Sequence, residues 1–373
     1  MKPPRAGDAA QRRRPFLVFW RVANKRNQNP DMIRVRFIAM FHFFAVLLCS
    51  ASLLHAQLPE FYKKVDHVVW VVSDLDATLA GWSKAGVSNI ADRGMISVTG
   101  AQFRGQPAQM EFLVSQARFG DVSVDWLQPA GGKGPLREFA DRTKGGVFGL
   151  MHSVPSRAAL EAEVDRMRGL GVGVLMSGGI DERGMQFLFF DTSREGKYAL
   201  GLIYDPEDGG DLPAGNASLS ITQFAFAVRD LTAVSDYWAK LGFPTMSVTR
   251  PQLSKTMFRG EPAQFSMQLG WQRHGKVPYE WCKPGDGPTA YEEHIKLHGE
   301  GFHHIGVRVD DMDQAIASWG ERGFRVLKSG AWGDEGKSGS GRFAYIDTDK
   351  IGGVIVELLW NYRGPASSPA AGR

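Results

Sequence analysis

The stretch "FRGQPAQ" (residues 103–109) occurs a second time, with one change, as "FRGEPAQ" (residues 258–264). The two copies start 155 positions apart, and the match extends outward without a gap. "FRGQPAQMEFLVSQARFGDVSVDWLQP" (103–129) aligns with "FRGEPAQFSMQLGWQRHGKVPYEWCKP" (258–284). A match of this length at one fixed spacing indicates an internal duplication, which decides the fold before any local pattern is considered.

Three further pairs of segments keep the same spacing of 155 or 156 residues. They are "DHVVWVVSDL" (66–75) with "TQFAFAVRDL" (222–231), "GVFGLMHSV" (146–154) with "GFHHIGVRV" (301–309), and "FFDTSREGKYALGLIY" (189–204) with "YIDTDKIGGVIVELLW" (345–360). The sequence therefore predicts two homologous halves arranged in tandem.

Each half divides again into two similar units. A β-like run is followed by a stretch with apolar residues at helical spacing, such as "TAVSDYWAKLG" (232–242), and then by short strands between Gly-rich turns. The second unit of each half starts near Phe148 or His303. We predict an α+β fold of four βαβββ modules, paired first with second and third with fourth.

The predicted organisation has four parts. Residues 1–56 form a leader, residues 57–212 and 217–364 form the N-terminal and C-terminal domains, and residues 365–373 form a disordered tail. The polar stretch "DPEDGGDLPAGNAS" between the halves, rich in Gly, Pro and Asp, is typical of a linker.

The leader has the order of a secretory signal peptide. Arg34 and Arg36 precede an apolar run over residues 37–48, and small residues follow up to a predicted cleavage after Ala56. Met32 is the start that fits this order. A membrane anchor is the alternative, but the run is shorter than the ~20 residues that a spanning helix needs. We therefore expect a secreted or periplasmic protein without a membrane segment after cleavage.

The charge distribution argues against a nucleic-acid partner. Residues 1–56 contain ten of the 44 basic residues and two of the 40 acidic residues. The rest of the chain therefore contains 34 basic and 38 acidic residues. The body of the protein is thus mildly acidic, and a small-molecule substrate is the expected partner of a monomer or homodimer. Cys49 falls in the leader, so Cys282 is the single cysteine beyond it. No internal disulfide can form, and a metal would bind to nitrogen and oxygen ligands.

Four strand positions of the C-terminal half carry polar side chains within otherwise apolar runs. They are Gln223 in "ITQFAFAV", Glu280 in "VPYEWCKP", His304 in "GFHHIGVRV" and Glu357 in "GGVIVELLW". Each lies in the first or last strand of its module, and a buried lone carboxylate is costly unless it is paired or metal-bound. Each residue alone has an ordinary explanation on a solvated face or in a hydrogen-bonded core. Together they predict a shared metal site.

The chain resembles the vicinal oxygen chelate superfamily, which includes glyoxalase I, methylmalonyl-CoA epimerase, extradiol dioxygenases and bleomycin-resistance proteins. The resemblance covers most of the chain after the leader. It is clearest in "GFHHIGVRVDDMDQAI" and "RFAYIDTDKIGGVIVELL", which look like the first and last strands of one module. It implies two glyoxalase-like half-barrel domains, each a cup made of two modules, with the metal inside the cup.

The candidate ligand set is similar, in residue type and order, to that of zinc-type glyoxalase I: Gln223, Glu280, His304 and Glu357. The resemblance implies a divalent ion, most readily Zn, with Ni, Co, Mn or Fe as alternatives. It also implies a lyase or isomerase (glyoxalase or epimerase type) that moves a proton through an enediolate while two neighbouring substrate oxygens are chelated. Glu357 is the first candidate for the catalytic base, and Glu280 is the second.

Two other functions stay open within the same superfamily. An iron-dependent extradiol dioxygenase would use two histidines and one carboxylate, but Gln223 stands where the first histidine is expected. A non-catalytic binding protein of the bleomycin-resistance type would hold a small molecule in the cup. Such proteins usually lack the metal residues, whereas this half has all four.

The N-terminal half has different residues at the equivalent positions, namely His67, Asp125, Gly149 and Gly201. Two of these four have no side chain to offer a metal. We therefore predict that the N-terminal site is degenerate.

Four other residues near these motifs have weaker functional interpretations. His152 and His303 are expected to be structural or substrate-contact residues. Arg104 and Arg259, in the repeated heptapeptide, are expected at the surface of a turn, with contact to an anionic substrate as the alternative.

Overall fold

A computed structural model describes residues 58–131, 134–180, 184–207 and 215–362 of the chain. The predicted leader with its cleavage after Ala56, the domain boundary at residue 212 and the tail at residues 365–373 lie outside these ranges. None of the helices within the ranges is long and apolar enough to cross a membrane.

The N-terminal half forms one ten-stranded sheet. Its strands are β1 (His67–Val71), β2 (Gly94–Ser97), β3 (Thr99–Phe103), β4 (Gln106–Pro107), β5 (Glu111–Phe119), β6 (Val122–Gly131), β7 (Gly146–Ser153), β8 (Val174–Ile180), β9 (Met185–Phe190) and β10 (Ala199–Tyr204). They are hydrogen-bonded in the order β2-β5-β6-β1-β7-β10-β9-β8-β3-β4. The first module contributes β1, β2, β5 and β6, and the second contributes β7 to β10.

The C-terminal half forms a second ten-stranded sheet with the same order. Its strands are β11 (Ile221–Ala227), β12 (Ser247–Thr249), β13 (Leu253–Phe258), β14 (Glu261–Pro262), β15 (Met267–Gln272), β16 (Tyr279–Pro284), β17 (Gly301–Arg308), β18 (Val326–Trp332), β19 (Gly341–Ile346) and β20 (Ile355–Asn361). The order is β12-β15-β16-β11-β17-β20-β19-β18-β13-β14. The prediction of two half-barrels, each made of two βαβββ modules, is confirmed.

Six α-helices pack beside these sheets in the described ranges: α1 (Leu75–Lys84), α2 (Pro135–Thr143), α3 (Arg157–Gly169), α4 (Leu231–Lys240), α5 (Ala290–His298) and α6 (Met312–Glu321). The repeated aspartate that ends the first strand segment of three modules is a helix N-cap. Asp74, Asp230 and Asp311 each accept a hydrogen bond from a backbone N–H in the first helical turn. An N-cap of this kind satisfies donors that would otherwise have no partner, which fixes where each helix begins.

The duplicated heptapeptide forms a tight hairpin in each half. Arg104 and Gly105 have φ values of 49° and 74°, and Arg259 and Gly260 have 52° and 89°. Positive φ at both central residues is typical of the two-residue turns that match the twist of β-hairpins. The hairpins β3–β4 and β13–β14 leave their own modules and pair with β8 and β18 of the neighbouring modules. The heptapeptide thus extends the far edge of each sheet.

The two sheets share one apolar core on the faces that carry the helices. Along β11, Phe224 and Phe226 point into this shared core, whereas Ala225 belongs to a separate cluster on the opposite, cup-lining face. Along β1, Trp70 points into the shared core. Val69 points the other way, into the cup of the N-terminal half, which is called the first cup below; the cup of the C-terminal half is the second cup. Because side chains of a strand alternate between faces, each central strand serves the core and a cup at once.

Contacts across the shared core join the two halves directly. The ring of Tyr198 in the N-terminal half stacks on Trp238 with 4.7 Å between centroids. The indole N–H of Trp70 donates to the carbonyl of Gly352 over 2.6 Å, and that of Trp238 donates to Gly196 over 3.2 Å. Since each half completes the core of the other, we expect them to unfold together.

Replacing Phe226 by alanine should lower the free energy of unfolding by about 3–5 kcal/mol, because the ring is fully buried among aromatic neighbours of both halves. Urea unfolding followed by tryptophan fluorescence should show one transition that shifts as a whole. Leu297→Ala is the matched control, since this side chain is exposed, and it should change the midpoint little. Two separate transitions, with only one shifted by Phe226→Ala, would contradict a shared core.

Candidate metal centre

The four candidate ligands of the C-terminal half lie together on the cup-lining face of the second sheet. The Gln223 amide Nε2 lies 2.8 Å from Glu280 Oε2 and 3.1 Å from Glu357 Oε2. His304 Nε2 lies 3.3 Å from Glu280 Oε2, 3.1 Å from Glu357 Oε2 and 3.4 Å from the Gln223 Nε2. All four side chains are buried.

Four adjacent strands, in the order β16-β11-β17-β20, supply one candidate ligand each. The register places Ala225 opposite both Glu280 and His304, and Gly306 opposite Glu357. Gly306 is needed to leave space, because a Cβ built on it would lie 2.8 Å from the Cβ of Gln223. The period of two along each strand therefore aims all four side chains at one point inside the cup.

The spacing of these atoms fits a divalent ion. Zinc binds histidine nitrogen and carboxylate oxygen at about 2.0–2.2 Å, so tetrahedral ligand atoms are separated by about 3.4 Å. The measured separations of 2.8–3.4 Å are close to that value. The Gln223 amide must present its oxygen to an ion, which a rotation about its last torsion achieves, since oxygen and nitrogen occupy equivalent places.

A second histidine holds the ring of His304 in place. His303 Nδ1 and His304 Nδ1 lie 2.7 Å apart, and both residues are fully buried. Burial lowers the pKa of His303 well below its usual value, so its neutral ring accepts the proton of His304 Nδ1. The Nε2 atom of His304 is then directed at the carboxylates. A hydrogen bond to the far nitrogen is how proteins usually orient a metal-ligating histidine.

The electrostatics of the site favour a cation. Burial disfavours a charged His304, but Glu357 and Glu280 outweigh this effect and raise its pKa to about 9. Burial also raises the pKa of the Glu357 carboxyl, with Glu280 adding to the rise and His304 opposing it. Two carboxylates and one imidazolium thus share a buried space, and a divalent ion would replace the proton of His304 Nε2.

Two further groups at this site were not predicted from the sequence. Cys282 Sγ lies 3.3 Å from Glu280 Oε2, and the thiol, Glu280 and His304 offer ligand atoms that all lie within 4.8 Å of one another. Burial raises the pKa of this thiol well above its usual value. The spacing of two residues in "EWC" places Cys282 on the same strand face as Glu280, which is the signal that could have identified it.

The second unpredicted group is the amine of Lys328, which is fully buried behind the cup. Its Nζ lies 4.2 Å from the ring centre of Tyr291 and 5.2 Å from that of Tyr345, and it has no hydrogen-bond partner in the described ranges. Aromatic faces stabilise such a cation. Burial nevertheless lowers the pKa of Lys328 to about 8, against the opposing effect of Cys282 and the two glutamates.

The cup above the four ligands is a cavity of about 560 Å³. Its walls are mostly apolar and aromatic: Leu253, Met267, Leu269, Trp271, Tyr291, Trp332, Phe343, Tyr345 and Leu359. Arg273 and Arg308 also line it, and both are exposed. A cavity of this size that combines apolar walls with polar side chains, among them Gln223, Glu280 and Glu357, is typical of a small-molecule site.

The first cup is filled by its own side chains. A Cβ on Gly149 would lie 2.4 Å from the Ala199 carbonyl oxygen and 2.7 Å from the ring of Phe189. A Cβ on Gly201 would lie 2.6 Å from Met151 and 2.7 Å from the same ring. Ligand side chains at these two positions would therefore collide with Phe189 and with the backbone.

The two remaining donors of the first cup already satisfy each other. His67 Nδ1 lies 2.8 Å from Asp125 Oδ2, while Gln116 and Ser123 donate to Asp125 Oδ1 over 2.8 and 2.7 Å. Burial opposes both charges, but the partnership raises the pKa of His67 and lowers that of Asp125. The pair has the character of an internal ion pair.

The other residues singled out from the sequence lie away from the cup. His152 is fully buried, and its Nδ1 lies 2.6 Å from the Lys64 carbonyl oxygen. Arg259 is exposed and pairs with Glu293 over 2.8 Å, and Arg104 lies 3.9 Å from Glu138. The arginines that line the cup are Arg273 and Arg308.

Comparison with known proteins agrees with this fold. Residues 222–345 match the family model described as the Glyoxalase/Bleomycin resistance protein/Dioxygenase superfamily. No curated protein matches the sequence.

Solved structures with the same architecture include a mutant of 4-hydroxymandelate synthase from Streptomyces coelicolor. It has a TM-score of 0.53 and 14% identity over 82% of this chain and 94% of that chain. BphC, a halotolerant catechol dioxygenase, matches at a TM-score of 0.42 and 13% identity over 80% of this chain and 87% of its own. At such identities the first likeness shows the fold alone.

Metal affinity should rise with pH. His304, with a pKa of about 9, carries a proton at pH 7 that must leave before Nε2 can bind an ion. The apparent dissociation constant for Co²⁺ should therefore fall by about tenfold per pH unit between pH 6 and 8. Calorimetric titration in buffers of different ionisation enthalpy measures the released proton. His304→Gln should remove this pH-dependent component, and a component that persists in that variant would show that His304 is not the group that titrates.

A side chain added at Gly149 in the first cup should destabilise the protein. Gly149→Ala should destabilise the protein by about 1–3 kcal/mol, because the new methyl group meets the Ala199 carbonyl and Phe189. Gly173→Ala is the matched control, since a Cβ there meets no atom within 4 Å. Thermal unfolding compares the two variants. His67→Ala should leave the amount of zinc bound per chain unchanged. Loss of one bound zinc ion in that variant would show that the first cup binds metal.

Proposed function

We propose that the second cup is the active centre of a divalent-metal-dependent lyase or isomerase. It would move a proton between neighbouring carbon atoms of a small substrate through an enediolate. The observation that carries the proposal is the convergence of Gln223, Glu280, His304 and Glu357 below an apolar cavity. Export by the predicted leader belongs to the same proposal and rests on sequence alone.

The cavity and the donor set together suggest the class of substrate. A bound divalent ion, most readily zinc, would supply Lewis acidity to two neighbouring substrate oxygens and lower the free energy of an enediolate. The aromatic and aliphatic walls suit the apolar part of a substrate. Arg273 and Arg308 line the same cavity and would attract an anionic group of the substrate.

Glu357 is the proposed base. Its carboxylate is buried at the cavity wall, and burial raises its pKa, which makes it a stronger base than an exposed glutamate. The carboxylate would take the proton from the carbon beside the carbonyl group and return it to the neighbouring carbon. Glu280, whose Oε2 lies 2.8 Å from the Gln223 amide, is the second candidate for this base.

The donor set weighs against the two alternatives. An extradiol-type dioxygenase would need a second histidine among the ligands, and the residue in that place is Gln223. A binding protein without catalysis would have no use for two buried carboxylates beside a buried histidine, which are costly to keep without a cation. Neither alternative accounts for all four side chains.

Glu357→Gln should retain the fold, weaken zinc binding and lower turnover by about 10²–10⁴-fold, because it removes a charged ligand and the base together. The assay uses the zinc-loaded chain with adducts of 2-oxoaldehydes and thiols, and with 2-substituted acyl thioesters. Glu335→Gln is the control, since it removes the same charge from an exposed position.

Three results would contradict the proposal. Equal activity of Glu357→Gln and the parent would exclude Glu357 as base. Oxygen consumption with catechols and Fe²⁺, without isomerase activity, would favour the dioxygenase. A purified chain that binds these compounds tightly without metal would favour the binding protein.

A further inference from the structure

A second group of metal-ligating side chains lies outside the cup, where the two halves meet. It consists of His294 and His298 on α5 and Asp349 in a short 3-10 helix (Asp349–Ile351). One ligand atom from each of the three lies within 4.8 Å of the other two. The two histidines are four residues apart on one helix, so they share a face and point the same way.

Hydrogen bonding already orients one of these histidines for metal binding. His298 Nδ1 lies 2.5 Å from the carbonyl oxygen of Thr143, the last residue of α2 in the N-terminal half. Only an N–H can donate to a carbonyl, so the proton is on Nδ1. Nε2 lies 3.0 Å from Asp349 Oδ1. A histidine whose far nitrogen donates to a backbone carbonyl is a common arrangement in metal sites.

An ordinary ion pair between His298 and Asp349 explains only part of this group. His294 is also buried, and its ring centre lies 4.8 Å from that of His298 and 4.9 Å from that of His303. Burial and the neighbouring His298 lower the pKa of His294 to about 3, so its ring is neutral and keeps a free lone pair at physiological pH. A cation is a partner that would bind the His294 ring, His298 Nε2 and the Asp349 carboxylate at once.

A small cavity is present beside the two histidines. A cavity of about 40 Å³ is lined by His294 and His298 from one half and by Phe139 and Thr143 from the other. A water molecule needs about 10–15 Å³ of such volume, so the cavity has room for a water ligand beside the histidines. Two imidazoles, one carboxylate and one water make a four-coordinate shell of the kind that zinc accepts.

We propose that His294, His298 and Asp349 form a second divalent-cation site, of zinc type, at the seam between the halves. The ion would hold α5 and the 3-10 helix Asp349–Ile351 together, and the Thr143 contact would tie this seam site to α2. The proposal of this second site does not depend on the function proposed for the cup, because the two sites share no ligand side chain.

The test measures zinc binding in a full-length chain whose cup is disabled by His304→Gln and Glu357→Gln together. Calorimetry and elemental analysis should find one zinc ion still bound per chain. Adding His294→Phe should abolish that binding, since phenylalanine keeps a ring of similar size but offers no ligand atom. Asp349→Asn should weaken it at least tenfold. Glu292→Gln, on the same helix and paired with Arg229 at the surface, is the control and should leave zinc binding unchanged.

A second measurement distinguishes loss of zinc binding from loss of the fold. Zinc should raise the melting temperature of the cup-disabled chain, and this rise should be absent after His294→Phe although the circular dichroism is unchanged. The seam site is overturned if the cup-disabled chain binds no zinc, or if His294→Phe still binds it with equal affinity. An unmutated chain that binds the ion at His294, His298 and Asp349, but binds no ion in the cup and shows no isomerase activity, would instead count against the proposed function.

Discussion

The two-faced character of the central strands is the constraint on which this protein depends. The core-facing residues Val68 and Trp70 of β1 and Phe224 and Phe226 of β11 are apolar, because the shared core needs such side chains to fill the space between the sheets. The residues between them face a cup and need not be large or apolar. The protein can therefore change one face of a strand without losing the packing on the other.

The two halves differ most where this freedom exists. Met151 and Gly306 occupy equivalent places in β7 and β17, with registers that agree strand by strand. In the first half Met151 and Phe189 close the cup, and in the second Gly306 opens it for Gln223. The same backbone thus supports a filled cup in one half and a cavity with four convergent donors in the other.

The four modules and the four candidate ligands could be predicted from the sequence, and the reasons are physical. Duplication fixes the equivalence of positions, and a polar side chain in an apolar strand is visible without coordinates. The crossing of the β3–β4 and β13–β14 hairpins to β8 and β18 was not predicted, because pairing between distant edges leaves no local pattern. Lys328 in "VLKSGAW" resembles a surface lysine until the four aromatic rings around its amine are seen.

The closed first cup also has a consequence for how this protein can evolve. Restoring a ligand at Gly149 or Gly201 places atoms within 2.7 Å of Phe189, and at Gly149 within 2.4 Å of a backbone oxygen as well. A side chain at either position requires the neighbouring atoms to shift, and making the large neighbours smaller first leaves a void in a packed cluster. Each first step lowers stability before any ligand is gained. A metal site would therefore cost more stability to build in the first cup than in the second, where Gly306 leaves room for Gln223.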